Sequence, residues 1–359
     1  MMTRTRKTLS GVAAVAAIGL LAACGSTNDS GSGTGSSSEP AASGGSGSES
    51  GTYRIATVPK VEGISWFEAM ANGVAQFDED KGDEVEAWQI GPDTEDAAKQ
   101  IQIIEDLIAQ EVDAIVVVPN DPQAVAPTLT KARERGIVVV THEAPALAGT
   151  DAVDFDLESF DNAVFGQKMG EKLAECMEGE GTYVGMVGSL TSETHMAWYN
   201  AAKEYLAENF PNITLAAENP YEDNNDDSVA RSNALEILRA YPDLKGYLNG
   251  SVSANSAMAA VLKEKNNKNV CMSGLSLPSV AGPYIEEGWI YSAQTWNPAG
   301  AGYAANQIAL AILKGEEVTT GMDLGFEGYE SVTVENGLVV GDAIMMLEKG
   351  QFPNGEYPF

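Results

Sequence analysis

The sequence predicts a two-lobed α/β protein in which each lobe is a doubly wound parallel sheet with helices on both faces. Three observations carry that expectation. From Tyr53 onward, short β-branched runs alternate with amphipathic helical stretches. The strand-like runs are continuously apolar, the pattern of strands buried on both sides. Two such series of similar length follow one another, so the chain suits two similar lobes better than one oversized core.

The first segment precedes both series. Arg4, Arg6 and Lys7 are followed by the apolar run "GVAAVAAIGLLAAC", which ends at Cys24. A charged start, a short apolar stretch and small residues before a cleavage point describe an export signal, and the run falls short of the roughly 20 apolar residues that a spanning helix needs. Leu21-Ala22-Ala23-Cys24 resembles the lipobox of bacterial lipoproteins, which implies cleavage of residues 1–23 and lipidation of Cys24. An ordinary secretory signal with an incidental cysteine is the alternative. The expected location is the outer face of the cytoplasmic membrane, held there by the lipid anchor only. Residues 24–51 are mostly Gly and Ser without apolar periodicity, and are expected to form a disordered tether with a reach on the order of 30 Å.

In the first series, "YRIATV", "DEVEAWQIG", "DAIVVVP" and "GIVVVTHE" read as strands, with helices such as "DAAKQIQIIEDLIAQ" and "DPQAVAPTLTKARERG" between them. Asp121-Pro122 fits an N-cap followed by proline in the first turn. In the second series the strands are "TYVGMVGS", "ITLAAE", "LKGYLNG", "NVCMSGLS" and "WIYSAQTW". The helix "AGAGYAANQIALAILKG" is then left over, so the chain is expected to cross back to the first lobe near Asn297. The expected division is 52–158 plus 297–322 for the first lobe, and 159–296 plus 323–359 for the second lobe and its hinge return. Cys176 falls near the end of a predicted helix over 162–177, and Cys271 near the start of a predicted strand over 270–275. A disulfide between them and two buried thiols both remain open.

Net charge is −31, from 52 acidic and 21 basic residues, which argues against a nucleic-acid partner because phosphate binding needs a basic face. Ligands of open α/β sheets sit beyond the carboxyl ends of strands, so two facing lobes line one cleft with those ends. The candidate ligand-binding residues are therefore Lys60, Trp66, Phe67, Glu143, Thr194, His195, Gly250, Val252, Ser276, Gln294, Trp296 and Asn297. Lys60 directly follows "IATVP" and offers three donors at the cleft mouth. At least one of Trp66 and Phe67 is expected to give an apolar face of the kind a sugar ring packs on, the other stapling the following helix. Glu143 either accepts from paired hydroxyls or forms a cap or hinge salt bridge, with Lys60 as a partner.

His142 and His195 are the only histidines and show no metal-ligand spacing, so no metal or other cofactor is expected. In "YEDNNDDSVARSNAL", Asp223, Asn225 and Asp227 match the first ligand positions of a calcium loop, but Ser228 and Ala234 stand where glycine and glutamate are needed. A polar loop with an acidic helix cap is the better reading. No nucleophile elbow, phosphate loop or dinucleotide motif occurs, and the chain reads as a binder and not an enzyme.

The lipobox, the tether, and "IATVPK", "DAIVVVPNDPQAVAPTLTKARERGIVVVTHEA", "LEILRAYPDLKGYL" and "SVAGPYIEEG" resemble the sugar-type periplasmic binding proteins of ABC importers, the type I fold. Within that group "IATVPK", "AYPDL", "LPSVAGPY" and the terminal "ENGLVVGDAIMMLEKGQFPNGEYPF" are most similar to the autoinducer-2-binding and rhamnose-binding branch. The resemblance implies two lobes joined by three hinge strands, a small sugar, deoxysugar or polyol as ligand, permease transmembrane subunits as partners, and a monomer. A receptor feeding a sensor kinase is the alternative role. By position the autoinducer-2 site would comprise Lys60, Glu143, Thr194, His195, Gly250 and Val252. Only Lys60 matches the branch; Glu143 replaces an aspartate, Thr194-His195 an Asp-Gln pair, and Gly250 and Val252 a Pro and an Ala. These departures count against autoinducer-2 itself. Trp296-Asn297 stands where the branch has Trp-Asp.

Overall fold

The computed structural model describes residues 51–359. The expected export signal, the lipidation site Cys24 and nearly all of the tether lie outside the described residues. Strands β1 (Tyr53–Val58), β2 (Val85–Gln89), β3 (Ala114–Val117), β4 (Val138–His142) and β5 (Phe155–Glu158) alternate with helices α1 (Ser65–Lys81), α2 (Ala97–Ala109) and α3 (Pro122–Glu134). The chain then enters the second lobe through α4 (Asn162–Cys176), β6 (Gly181–Val187), α5 (Glu193–Asn209), β7 (Ile213–Leu215), β8 (Tyr221–Glu222) and α6 (Asp227–Ala240). It continues through β9 (Gly246–Asn249), α7 (Val252–Lys265), β10 (Cys271–Gly274), α8 (Pro278–Glu287) and β11 (Ser292–Thr295). Helix α9 (Pro298–Leu313) returns to the first lobe, followed by β12 (Thr333–Glu335), β13 (Leu338–Val340) and β14 (Met345–Glu348).

The helices begin where the sequence supplies acceptors for their free N–H groups. Asp96, Asp121, Asp161 and Asp226 each accept from two backbone amides of the turn they open. Pro122 occupies the first turn of α3 behind Asp121, as expected. The first-lobe sheet runs β12-β13-β5-β4-β3-β1-β2, with every pair from β13 to β2 parallel. In the second lobe β10-β9-β6-β7 are parallel neighbours, β8 also pairs with β6, and β11 bridges to β10 through Leu275 and Gln294.

Two features depart from the expected layout. Residues 333–340, expected in the second lobe, form β12 and β13, an Asn336-Gly337 hairpin that pairs with β5 in the first-lobe sheet. Only β14 returns to the second lobe, antiparallel to β11. Strand β5 lacks an apolar run, yet Asp156, Leu157 and Glu158 are all buried because β4 and β13 flank it.

Three crossings join the lobes: the chain after β5, the chain after β11 and the chain after β13. The first and third run together, Gly341 N–H donating to Glu158 O (2.9 Å) and Ala343 N–H to Ser159 O (3.0 Å). A Cβ on Gly341 would lie 2.8 Å from the Gly328 carbonyl oxygen, so this close approach needs glycine. Cys176 and Cys271 are disulfide-bonded, tying the end of α4 to the start of β10 with 5.7 Å between Cα atoms. Among the described residues no helix is long and apolar enough to cross a membrane.

Candidate functional site

The carboxyl ends of β1 and β4 converge on a cavity of about 20 Å³ between the lobes, room for about one water. Its first-lobe wall is Lys60, Ile64, Trp66, Phe67 and Glu143; its second-lobe wall is His195, Asn225, Ser251, Val252 and Leu275.

Lys60 is 1% exposed, and its Nζ donates to Glu143 Oε2 at 2.5 Å and to Ser192 Oγ at 3.1 Å. Its backbone is fixed from behind. Asn120 Nδ2 donates to Lys60 O (2.9 Å), while Gln100 Nε2 donates to Pro59 O (3.0 Å) and Val118 O (2.8 Å). Glu143, one residue past β4, has φ 62°, a left-handed conformation that is uncommon for a long side chain. Such strain persists only where its surroundings impose it. Here it turns the carboxylate back to Lys60 and to the first turn of α5, where Thr194 Oγ donates to Oε2 at 3.3 Å.

The electrostatics follow from burial. Burial alone pushes the Glu143 carboxyl up, but the Lys60 ammonium, together with His142, His195 and the Lys60 hydrogen bond, brings it down to about 2. His195 moves to about 3 because it is buried and faces the Lys60 charge. Its ring is neutral, with Nδ1 accepting from Gly188 N–H at 3.2 Å. Across the cleft Asp223 is pushed up to about 7 by burial; its oxygens are held by Ser251 Oγ (2.5 Å) and Asn225 N (2.8 Å). Among the residues that line the cavity, Lys60 and Glu143 form one ion pair and the rest are uncharged.

An aromatic series forms the floor. Trp66 meets Trp296 edge-on (4.5 Å between centroids), Trp296 meets Phe160 (5.0 Å), Phe160 stacks on Phe165 (4.3 Å), and Phe165 meets Trp198 (5.0 Å). The core is therefore continuous from the first lobe through the hinge into the second.

Among the sequence-derived candidates, Lys60, Trp66, Phe67, Glu143, His195 and Val252 line the cavity, and both loop aromatics do so from the first turn of α1. Thr194 reaches it through Glu143, and Trp296 through Trp66. Gly250, Ser276, Gln294 and Asn297 stand outside its lining. Gln294 bonds to Ser292 Oγ (3.1 Å) and Ser273 Oγ (3.4 Å) within the second lobe, and Asn297 caps α9, accepting from Ala299 N at 3.0 Å.

Ile64, Asn225, Ser251 and Leu275 also line the cavity and are not among those candidates. Asn225 enters because Asn224 and Asn225 both take left-handed backbone (φ 54° and 49°) after a two-residue strand. Paired asparagines before a helix cap were the available signal. Asn225 Nδ2 donates to Glu95 of the first lobe, and Thr191 Oγ donates to Asn120 O at 3.3 Å. With Lys60–Ser192 and Thr194–Glu143, these bonds close the lobes on each other. Among the described residues no three His, Cys, Asp or Glu side chains converge on a metal position.

A family model described as a periplasmic binding protein domain matches residues 55–317. The chain belongs to that family. It is 27% identical over 269 residues to a D-ribose/D-allose-binding protein of Pseudomonas aeruginosa, covering 73% of this chain and 83% of that one. Among solved structures it is similar to LsrB from Clostridium saccharobutylicum in complex with AI-2, with TM-score 0.76, 20% identity, and 85% and 100% of the two chains covered. It is also similar to a solute-binding protein of Clostridium phytofermentas with bound L-rhamnose, with TM-score 0.75, 20% identity, and 84% and 97% covered. The likeness establishes the type I periplasmic binding protein fold. The chain therefore has the two-lobed α/β architecture that the sequence predicted.

Proposed function

We propose that the protein is the extracytoplasmic substrate-binding component of an ABC importer and captures a small neutral sugar or polyol between its lobes. The observation that carries the reading is the composition of the cleft. One ammonium and one carboxylate neutralise each other over 2.5 Å, aromatic faces flank them, and the opposite wall offers neutral hydrogen-bonding groups. Such a wall suits hydroxyls, which both donate and accept, and offers no surplus charge to a sugar acid or phosphate. The names of the ribose/allose-binding relative and the rhamnose-bound structure point the same way.

Closure then delivers the ligand. A solute touching both walls favours the form in which the lobes meet, and that form would be the one presented to the permease subunits. Lipidation at Cys24 and the Gly/Ser tether would keep the protein at the outer membrane face within reach of them. Replacing Cys24 by serine should abolish incorporation of labelled lipid into the protein, and label retained by that variant would refute the anchor at Cys24.

Thermal-shift screening of the purified protein against pentoses, hexoses, deoxysugars, polyols and amino acids tests the ligand class. A ligand that binds only the folded state raises the melting temperature. Stabilisation by a neutral carbohydrate is the expected result; stabilisation by an amino acid alone would overturn the assignment.

A further inference from the structure

Two polar atoms at the cleft floor are buried without partners: Nε2 of His142 and Nε1 of Trp296. Each side chain is 1% exposed, and the rings stand nearly perpendicular with centroids 6.3 Å apart. Native interiors seldom leave such groups unpaired. Neither ring lines the cavity itself; each stands directly behind a residue that does, His142 Nε2 3.9 Å from Glu143 Oε1 and Trp296 packed edge-on against Trp66.

The role of each atom follows from its surroundings. Nδ1 of His142 lies 2.6 Å from the carbonyl oxygen of Leu157, which can only accept, so Nδ1 carries the hydrogen. In the neutral ring Nε2 is then a bare lone pair. Its neighbour Glu143 Oε1, 3.9 Å away, is also an acceptor and too distant for a hydrogen bond. The Lys60 ammonium directs hydrogen bonds to Glu143 Oε2 and Ser192 Oγ and makes none to Nε2. Trp296 Nε1 is the complement, a donor with nothing to donate to.

We infer that His142 and Trp296 are specificity residues of the cleft, His142 Nε2 accepting from a ligand hydroxyl and Trp296 Nε1 donating to a ligand oxygen. The inference rests on the carbohydrate reading above and extends it by naming which hydroxyl chemistry the floor selects. A hydroxyl satisfies both atoms; a carboxylate cannot donate to His142, an ammonium cannot accept from Trp296, and a deoxy carbon does neither. With Glu143 Oε1 beside Nε2, the floor presents two adjacent acceptors, which fits neighbouring hydroxyls on one ligand. A buried water bridging the same atoms is the competing occupant.

The test combines affinity with a direct view of the nitrogen. Calorimetric titrations with D-ribose, D-allose, L-rhamnose and xylitol would be run on the wild-type protein and on His142→Phe, His142→Gln and Trp296→Phe. Spectra of the 15N-histidine-labelled wild type would be recorded in parallel. For whichever carbohydrate binds, His142→Phe and Trp296→Phe should each weaken binding about tenfold. His142→Gln, whose amide oxygen accepts, should recover part of that loss. The Nε2 resonance should move toward the hydrogen-bonded range along the same saturation curve as the heat. A resonance unmoved at saturation overturns the inference and leaves a retained water as the occupant. Because that measurement uses the wild type, it decides even if a variant fails to fold. Absence of stabilisation by every pentose, hexose, deoxysugar and polyol of the thermal-shift panel sinks the carbohydrate reading, and this inference with it.

Discussion

The two lobes share an architecture but equip their cleft walls differently. The first lobe contributes the charge: a buried ion pair on strand ends, with its lysine backbone clamped by Gln100 and Asn120. The second contributes neutral groups set near helix starts, with His195 in the first turn of α5 and Ser251 capping α7. The positive end of α5 faces the Glu143 carboxylate, which favours that anion and disfavours a protonated His195. A buried charge is tolerable only where its partner is fixed, so it sits in the lobe whose strand ends are braced. The neutral wall carries no such demand and is free to part from it. The disulfide also distinguishes the lobes: among the described residues it staples the second alone.

Removing that staple should produce the largest change. Cys176 and Cys271 are 95 residues apart in sequence, and a cross-link closing a loop of that length constrains the unfolded chain by about 4.7 kcal/mol. The Cys176→Ser/Cys271→Ser protein should lose about that much in denaturant unfolding, with hydrogen exchange rising mainly in α4, β9 and β10. Equal loosening of both sheets would show that the lobes do not unfold as separate units.

Lys60→Met attacks the first wall. It leaves Glu143 buried without its counter-charge, which should cost about 4 kcal/mol, whereas the paired variant Lys60→Met/Glu143→Leu should cost much less. If the single and double variants unfold at the same denaturant concentration, the ion pair is not what holds this wall.

The walls also differ in pH response. Glu143 is held below its ordinary value, so its contribution is present above about pH 4.5 and is lost as pH falls toward 2. Asp223, pushed up to about 7, does the opposite: the folded protein keeps its proton, and stability declines as pH rises from about 4 through 7. Asp223→Asn mimics the protonated acid, with Oδ1 still accepting from Asn225 and an amide facing Ser251. It should remove about 4 kcal/mol of that decline, seen as a flatter plot of melting temperature between pH 4 and 8. An unchanged slope would show that Asp223 stays ionised in the fold.

What was legible in the sequence divides along the same line. Lys60, Trp66, Phe67 and Glu143 follow their strands directly, so the rule that ligands sit beyond strand ends located the first wall. The second wall depends on non-local geometry. Asn225 reaches the cavity through two left-handed residues, and no periodicity announces that. Strand β5 escaped notice because buried carboxylates interrupt its apolar pattern, and the Asn336-Gly337 turn marked a hairpin without saying which sheet would take it. For Glu143 the sequence leaves a ligand role and a salt-bridge role open; its contacts with Lys60 and Thr194 combine a salt bridge with a cross-cleft tie.

The smallest expected effect tests whether the walls communicate through that carboxylate. Thr194 is buried, and its hydroxyl donates across the cleft to Glu143 Oε2 at 3.3 Å. Thr194→Val keeps the shape and removes the donor, while Lys60 continues to satisfy the carboxylate. Folding stability should therefore change little, but contact between lobes should weaken by about 1 kcal/mol, roughly a fivefold shift toward parted lobes. Small-angle scattering would register this as a larger radius of gyration at unchanged melting temperature, reversed by a bound carbohydrate. A fall in melting temperature without any change in radius would place the Thr194 bond among the forces that hold the second lobe itself together, and the tie between the walls would then rest on Lys60–Ser192, Thr191–Asn120 and Asn225–Glu95.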